Sequence, residues 1–515
     1  MRIENSIRNI LFGLGGYILN ILIGFVTRSL FIKVLGIEYL GINGLFTNIL
    51  MLLNLTELGI GAAIIFSLYK PLADKDEYRV AALMNLYKKA YRMIGIAVLT
   101  GGLVLAPFLG VLIKDMPDIP HITIIYILFL LQSVVSYLFF AYKSSIINAS
   151  QNNYIISKYG YIYTICNGIM QVLLLLVTQN YILILTVQIG LDIMRNILIA
   201  RQADRMYPFL KKYQDAKLQK EEVKKIYKDV YALSLSKICN IVLNGTDNIV
   251  ISYFLGIVPI GIYSNYMYLI NSINSILNIV FTSITSSVGN LNVTSDEEKK
   301  YLIYRVMNFV VFWFYGFCAI SFFELLNPFI SIWLGEQYLF GNSIVFIIIL
   351  NFYTAGMQYT NTIYKDACGL FWNTRYRSLC MAIINIVSSV ILVQYIGIAG
   401  VFLGTIISRL TTNFWFDPWT IHKNVFNKSL KNYFYRYLMY TGSVIIAGVV
   451  TVCINKNIIY TPIITLTLRG IVCLVVPNLI FVILFFRTSE FKYIKDIIFS
   501  KVFYKFRAKY NSVRG

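Results

Sequence analysis

Polar side chains are scarce in this sequence, and several of them share one helical face. Over residues 231–254, Ser236, Lys237, Asn240, Asn244 and Asp247 fall on a single stripe at about 100° per residue, while Ile241, Val242, Ile249 and Val250 lie off it. A charge near the centre of a bilayer costs about 2.5–3.5 kcal/mol unless water or a partner receives it. A cation among amides and a hydroxyl is suited to holding an anion in a water-filled cavity. The competing account is a dry interior in which neighbouring helices satisfy Lys237 and Asp247. In residues 10–33, Gly13, Gly16, Tyr17, Asn20, Gly24 and Thr27 form a similar face with Arg28 at its edge. An arginine there could grip a phosphate through its planar fork, or else reach outward to lipid headgroups. The glycines could line a cavity or admit a close-packed helix. Glu57, in Asn54-Leu55-Thr56-Glu57-Leu58-Gly59, could carry a proton if desolvated, or hydrogen-bond an adjacent helix. Asp247 and Glu57 are thus candidates for ion coupling or gating.

Catalytic chemistry finds no support. The 2 histidines, His121 and His422, fall in loops on opposite sides of the membrane and cannot share a metal. There is no G-x-S-x-G, P-loop or nucleotide-binding glycine strand-turn-helix, so no built-in ATPase, catalytic residue, metal site or cofactor is expected. An ion gradient is the energy source left for uphill transport. The 7 cysteines lie in apolar runs without a C-x-x-C and read as small core residues rather than a disulfide framework.

These side chains need membrane-spanning helices to position them. With 58% hydrophobic residues, 13% charged and mean hydropathy +0.68, the chain is a polytopic membrane protein. About 20 apolar residues per crossing divides it into fourteen spans, and no cleavage site marks a removed signal peptide. Most of the 45 Lys and Arg then lie on the side of both termini, while Lys114 and Lys456 are the loop residues on the other. That bias places both termini in the cytoplasm, and it explains the net charge of +21 without nucleic acid.

An internal repeat organises the spans. Ile18, Asn20, Ile21, Leu35, Gly36, Ile37, Gly41 and Ile42 recur in register as Ile238, Asn240, Ile241, Leu255, Gly256, Ile257, Gly261 and Ile262. A duplicated helical hairpin therefore opens two equivalent halves, with a binding site expected between them. The expected organisation is an N-lobe over 1–201, a basic cytoplasmic linker over 202–230 held by lipid headgroups, a C-lobe over 231–416, two extra spans over 417–486 and a basic tail over 487–515. The tail spaces Phe491, Ile494, Ile498 and Val502 among lysines, as an amphipathic helix on the inner leaflet would, the alternative being a disordered tail.

Several ordered motifs carry a family resemblance. Tyr69-Lys70-Pro71-Leu72-Ala73, Thr246-Asp247-Asn248, Tyr263-Ser264-Asn265-Tyr266, Gly289-Asn290-Leu291, Trp333-Leu334-Gly335 and Gly400-Val401-Phe402-Leu403-Gly404-Thr405 resemble the polysaccharide-transporter family, which contains the Wzx-type oligosaccharide flippases. That family is a branch of the multidrug/oligosaccharidyl-lipid/polysaccharide (MOP) exporter superfamily. The resemblance implies an all-α fold of two six-helix lobes plus two C-terminal helices. It also implies export of undecaprenyl-pyrophosphate-type lipid-linked oligosaccharides across a bacterial inner membrane for capsule, exopolysaccharide or O-antigen synthesis, beside a polymerase and glycosyltransferases. It supplies no strict cavity motif, so Arg28, Lys237, Asn240, Asn244, Asn20 and Tyr17 are cavity candidates on the stripe argument alone. A multidrug/cation antiporter of the same fold would favour an acidic cavity. A membrane glycosyltransferase or polymerase would favour a longer outer loop than any found here.

Overall fold

The computed structural model describes residues 2–54, 60–114, 117–150, 152–294, 297–368, 370 and 374–496. Every regular element among them is helical. Two compact units divide the chain at Asn265 and Tyr266.

The first unit holds α1 (Arg2–Leu35), α2 (Ile37–Leu53), α3 (Ile60–Ala73), α4 (Glu77–Leu105), α5 (Leu109–Leu112), α6 (Ile122–Leu138), α7 (Ser144–Ala149), α8 (Asn153–Val177), α9 (Tyr181–Met206), α10 (Phe209–Lys212) and α11 (Lys220–Leu255). It also holds the start of α12 (Val258–Thr294). Small residues set its closest helix approaches. A Cβ on Gly16 would meet the Tyr161 ring, and one on Gly168 would lie 2.3 Å from Ile23. Glycine on the α1 face is therefore used at Gly16 to seat α8. Behind it, Phe46 packs edge-on to Tyr126 at 5.2 Å, and the Tyr126 hydroxyl donates to the Gly102 carbonyl.

The stretch between α9 and α11 is partly protein-docked. Asn85 on α4 donates to the carbonyls of Tyr213 and Ala216, Ala216 is buried against Ala81 and Ala82, and Arg79 pairs with Glu222 at 2.6 Å. Within the expected lipid-held linker, these contacts hold the backbone on α4, while Lys211 stays exposed toward solvent or headgroups.

The second unit comprises the rest of α12, then α13 (Glu297–Leu334), α14 (Asn342–Gly356), α15 (Tyr359–Ala367), α16 (Arg375–Ile396), α17 (Ile398–Thr411), α18 (Asn413–Ile421), α19 (Lys431–Asn455) and α20 (Pro462–Phe485). Gly400 and Gly404 let α17 lie on α16, where a Cβ on Gly400 would stand 2.3 Å from the Leu392 carbonyl oxygen. Arg409 donates to Asn351 and Thr354 and so ties α17 to α14. An aromatic seam joins α19 and α20 to α13, with Phe312 stacked on Tyr440 at 4.5 Å and in contact with Phe481 and Phe485. Glu324 accepts from Asn455 across the same seam.

Among the described residues, nine helices are long and apolar enough to cross a bilayer. Ile122–Leu138 with Ala141–Ala149, bent by 47°, makes a tenth. The fourteen-span pattern exceeds this count: α2 and α17 are short, and α11 and α12 include residues whose side chains lie outside the description.

Candidate functional site

The repeated hairpins of the sequence meet each other inside the first unit. Each turns at a glycine with positive φ, Gly36 at 94° and Gly256 at 85°, a backbone region that side chains disfavour. Five residues on, each places another glycine against the other hairpin. A Cβ on Gly41 would lie 2.3 Å from the carbonyl oxygen of Ile257, and one on Gly261 would lie 2.6 Å from that of Ile37. The contact is reciprocal, as in a two-fold interface between equivalent surfaces. Gly44 on α2 against Ile260 on α12, and Gly245 on α11 against Leu52 on α2, extend it. Lys114 closes one end by donating from Nζ to the Phe254 carbonyl at 3.0 Å and from its amide to Ser252 at 3.1 Å.

Arg28 lies across this junction. Its Nε donates to Asn265 Oδ1 at 2.7 Å, and its Nη2 donates to the Ser264 hydroxyl, which itself donates to the Gly261 carbonyl. The hydrogen bond fixes the orientation of the Asn265 amide, because an oxygen must face the guanidinium. Asn265 is fully buried and its Nδ2 has no partner. Asn248 Oδ1 and Ser252 Oγ are likewise buried and unpartnered. A buried polar atom left unmet costs about 1–3 kcal/mol, so these groups around one junction mark a place where a polar ligand or water would be stabilised. In this state two of the Arg28 nitrogens are engaged by Asn265 and Ser264.

The other sequence candidates are placed as follows. Tyr17 and Asn20 lie on α1, Tyr17 half-buried and Asn20 exposed. Asp247 is half-buried on α11, close enough to the half-buried Tyr263 to act on its phenol electrostatically. The backbone of Lys237, Asn240 and Asn244 belongs to α11, but their side chains, and Glu57 as a whole, lie outside the described residues, as does the tail from residue 497.

Sequence reasoning missed a second polar cluster in this unit. Gln132 on α6 donates to Asp192 on α9 at 3.0 Å, Asp192 pairs with Arg195 at 3.2 Å, and the Arg195 guanidinium lies 4.6 Å from the centre of the Tyr163 ring. Opposite charges one helical turn apart in an apolar run were the available signal. In the second unit, Arg377 and Asp417 form a buried ion pair, with exposures of 8% and 2%, that fixes α16 to α18.

Comparison with known proteins bears on the fold. No protein-family model matches the sequence, and no curated protein matches it. Among solved structures, the lipid II flippase MurJ in an inward closed conformation aligns with TM-score 0.65 and 15% identity over 92% of this chain and 99% of its own. An inward-facing multidrug resistance MATE transporter of the MOP superfamily aligns at 0.58 with 13% identity over 80% of this chain and 98% of its own. A MOP superfamily transporter from Pyrococcus furiosus, reported with a binding pocket of reverse polarity, aligns at 0.53 and 13% over 83% and 96%. The chain shares the fold of these solved structures, the all-α fold that the resemblance of its motifs implied.

Proposed function

We propose that this protein is a flippase that carries polyprenyl-pyrophosphate-linked oligosaccharide repeat units from the inner to the outer leaflet of a bacterial plasma membrane. The observation that carries the reading is Arg28, which donates to Ser264 and Asn265 beside the unmet amide of Asn265 at the junction of the repeated hairpins. A diphosphate is a stronger partner for a guanidinium than a serine or an asparagine, because both members of the bond are charged. It would draw Arg28 away from Ser264 and Asn265, and Asn265 Nδ2 would gain an acceptor.

Loss of the Arg28 ties weakens the hairpin junction, so substrate binding favours separation of the repeats. A ligand shifts a conformational equilibrium only through such differential contacts. Lys237, Asn240 and Asn244 on α11, with Asn20 and Tyr17 on α1, would supply further donors to the diphosphate and sugar. Asp247 and Glu57 would couple or gate the cycle. The alignment favours this branch over a drug antiporter, since the MurJ fold covers 92% of the chain against 80% for the MATE transporter. Glycosyltransferases would make the cargo and a polymerase would consume it.

The test is polymer production in a strain whose only copy is Arg28→Ala, Lys237→Ala, with membrane abundance measured alongside. Severe loss of polymer and accumulation of the lipid-linked unit on the inner leaflet are expected. Normal polymer at normal abundance would overturn the assignment, and cation export with intact polymer would transfer the chain to the antiporter branch.

A further inference from the structure

We propose that a cleft at the amino-terminal end of α19 binds the phosphate of an anionic phospholipid headgroup, apart from any transported substrate. The cleft has a volume of ≈ 350 Å³ and is lined by Asn432, Tyr435, Arg436, Met439, Thr488 and Ser489, with Glu490 at its base. Its charge is built rather than incidental. Glu490, 1% exposed, accepts from Arg305 Nε at 2.8 Å and from Arg436 at the same oxygen, while Arg305 Nη2 also donates to Ser489 at 2.6 Å. One carboxylate thus fixes two guanidinium groups and leaves one positive charge over. Each guanidinium has five N–H donors, more than a single carboxylate engages, and a phosphate is the partner that matches their fork.

The surroundings favour an anion further. The first turn of α19 carries no acidic side chain, and the Lys431 amide at its start donates to the Ser429 hydroxyl at 3.3 Å. Lys431, Arg487 and Lys492, each within two residues of a lining residue, are exposed.

The apolar wall below the cleft selects a lipid over a free anion. Tyr435 (70% exposed), Leu438 (69%), Ile445 (61%) and Val449 (58%) form a bare stripe that starts at the cleft and runs along α19. From Tyr435 to Val449 the stripe extends roughly 20 Å at the helical rise per residue, about the depth of one leaflet. Headgroup phosphate in the cleft and acyl chain along the stripe would be held by one continuous surface. None of these residues belongs to the hairpin junction, so the site stands or falls separately from the flippase reading.

The experiment follows thermal unfolding of the full chain in detergent micelles titrated with phosphatidylglycerol, phosphatidylcholine or inorganic phosphate. Phosphatidylglycerol is expected to raise the unfolding temperature, and the other two are not. Arg436→Gln should raise the phosphatidylglycerol concentration for half effect about tenfold, the value of one charge-assisted hydrogen bond, and Arg436→Lys should raise it less. Glu490→Gln removes the internal competitor and should lower that concentration, the opposite of what a purely structural clamp would do. Equal responses to phosphatidylglycerol and phosphatidylcholine, an unchanged response in Arg436→Gln, or a weaker one in Glu490→Gln would each overturn the site. Inorganic phosphate acting as well as phosphatidylglycerol would overturn the lipid assignment. Should Arg436→Gln fail to fold, Arg305→Gln and Glu490→Gln carry the same two opposite expectations.

Discussion

Arg28 and Arg305 show two ways in which a membrane protein holds a guanidinium. Arg28 donates to the uncharged side chains of Asn265 and Ser264, whereas Arg305 shares a buried carboxylate with Arg436. Burial alone would raise the Glu490 carboxyl, but its own backbone amide and the two arginines outweigh that and hold it below the ordinary carboxylate range. A depressed carboxylate adds stability that is fully present above its ordinary pKa and is lost as pH falls through the lowered value. Glu490→Gln should therefore lower stability by about 1–3 kcal/mol near neutral pH, less than a fully buried pair because both arginines reach solvent. The difference between wild type and variant should close as the pH drops below the carboxylate range. Unfolding temperatures in lipid-free detergent from pH 7 downward measure it, and a gap that persists into acid would contradict the electrostatic account. At this scale the sequence was half legible. Arg28 stood out as a charge in an apolar run, but its partners lie 236 and 237 residues away and periodicity cannot reach them.

The repeated hairpin was legible because its signal is local: a turn glycine, then a packing glycine, in the same register twice. Its packing was not, since two copies of a motif do not announce that they will pack on one another. Composition also could not decide whether glycines line water or seat a helix, and at Gly16 the Tyr161 ring decides it. The hairpin contact makes a sharp prediction. An added methyl at Gly41 or Gly261 would strike a backbone carbonyl, which cannot turn aside as a side chain end can, and overpacking of this kind costs about 1–3 kcal/mol. Gly41→Ala and Gly261→Ala should each shift the hairpins toward separation by roughly tenfold or more, since 1.4 kcal/mol is a factor of ten. The readout is the alkylation rate of a cysteine placed at Leu40, which is 7% exposed, in a background without other cysteines. Gly110→Ala, with nothing within 4 Å of its Cβ, is the control that should leave the rate unchanged. Equal rates in all three variants would mean that the junction does not hold the hairpins together.

For the molecule as a whole, basic residues and apolar length carry different information. Among the described residues, length and apolarity find nine spans, ten with the bent pair, fewer than fourteen because α2 and α17 are short and parts of α11 and α12 have side chains outside the description. Charge distribution is blind to that weakness, since it counts loops rather than spans. Fourteen crossings with both termini inside leave Lys114 and Lys456 as the basic residues of the outer loops, whereas removal of any single span would scatter the remaining Lys and Arg over both faces. Lys456 is the most informative position, because it follows α19 and precedes α20, the helices by which the chain exceeds a twelve-span architecture. Impermeant cysteine reagents should therefore label single cysteines at Asp118 and Lys456 in intact cells. Cysteines at Lys211 and at the amino terminus should react only after the membrane is opened. Labelling of the Lys456 position only in opened cells would remove the two-span extension as drawn. The anionic-lipid cleft at the other end of α19 would then face the outer leaflet, where the cytoplasmic excess of basic residues could not help to fill it.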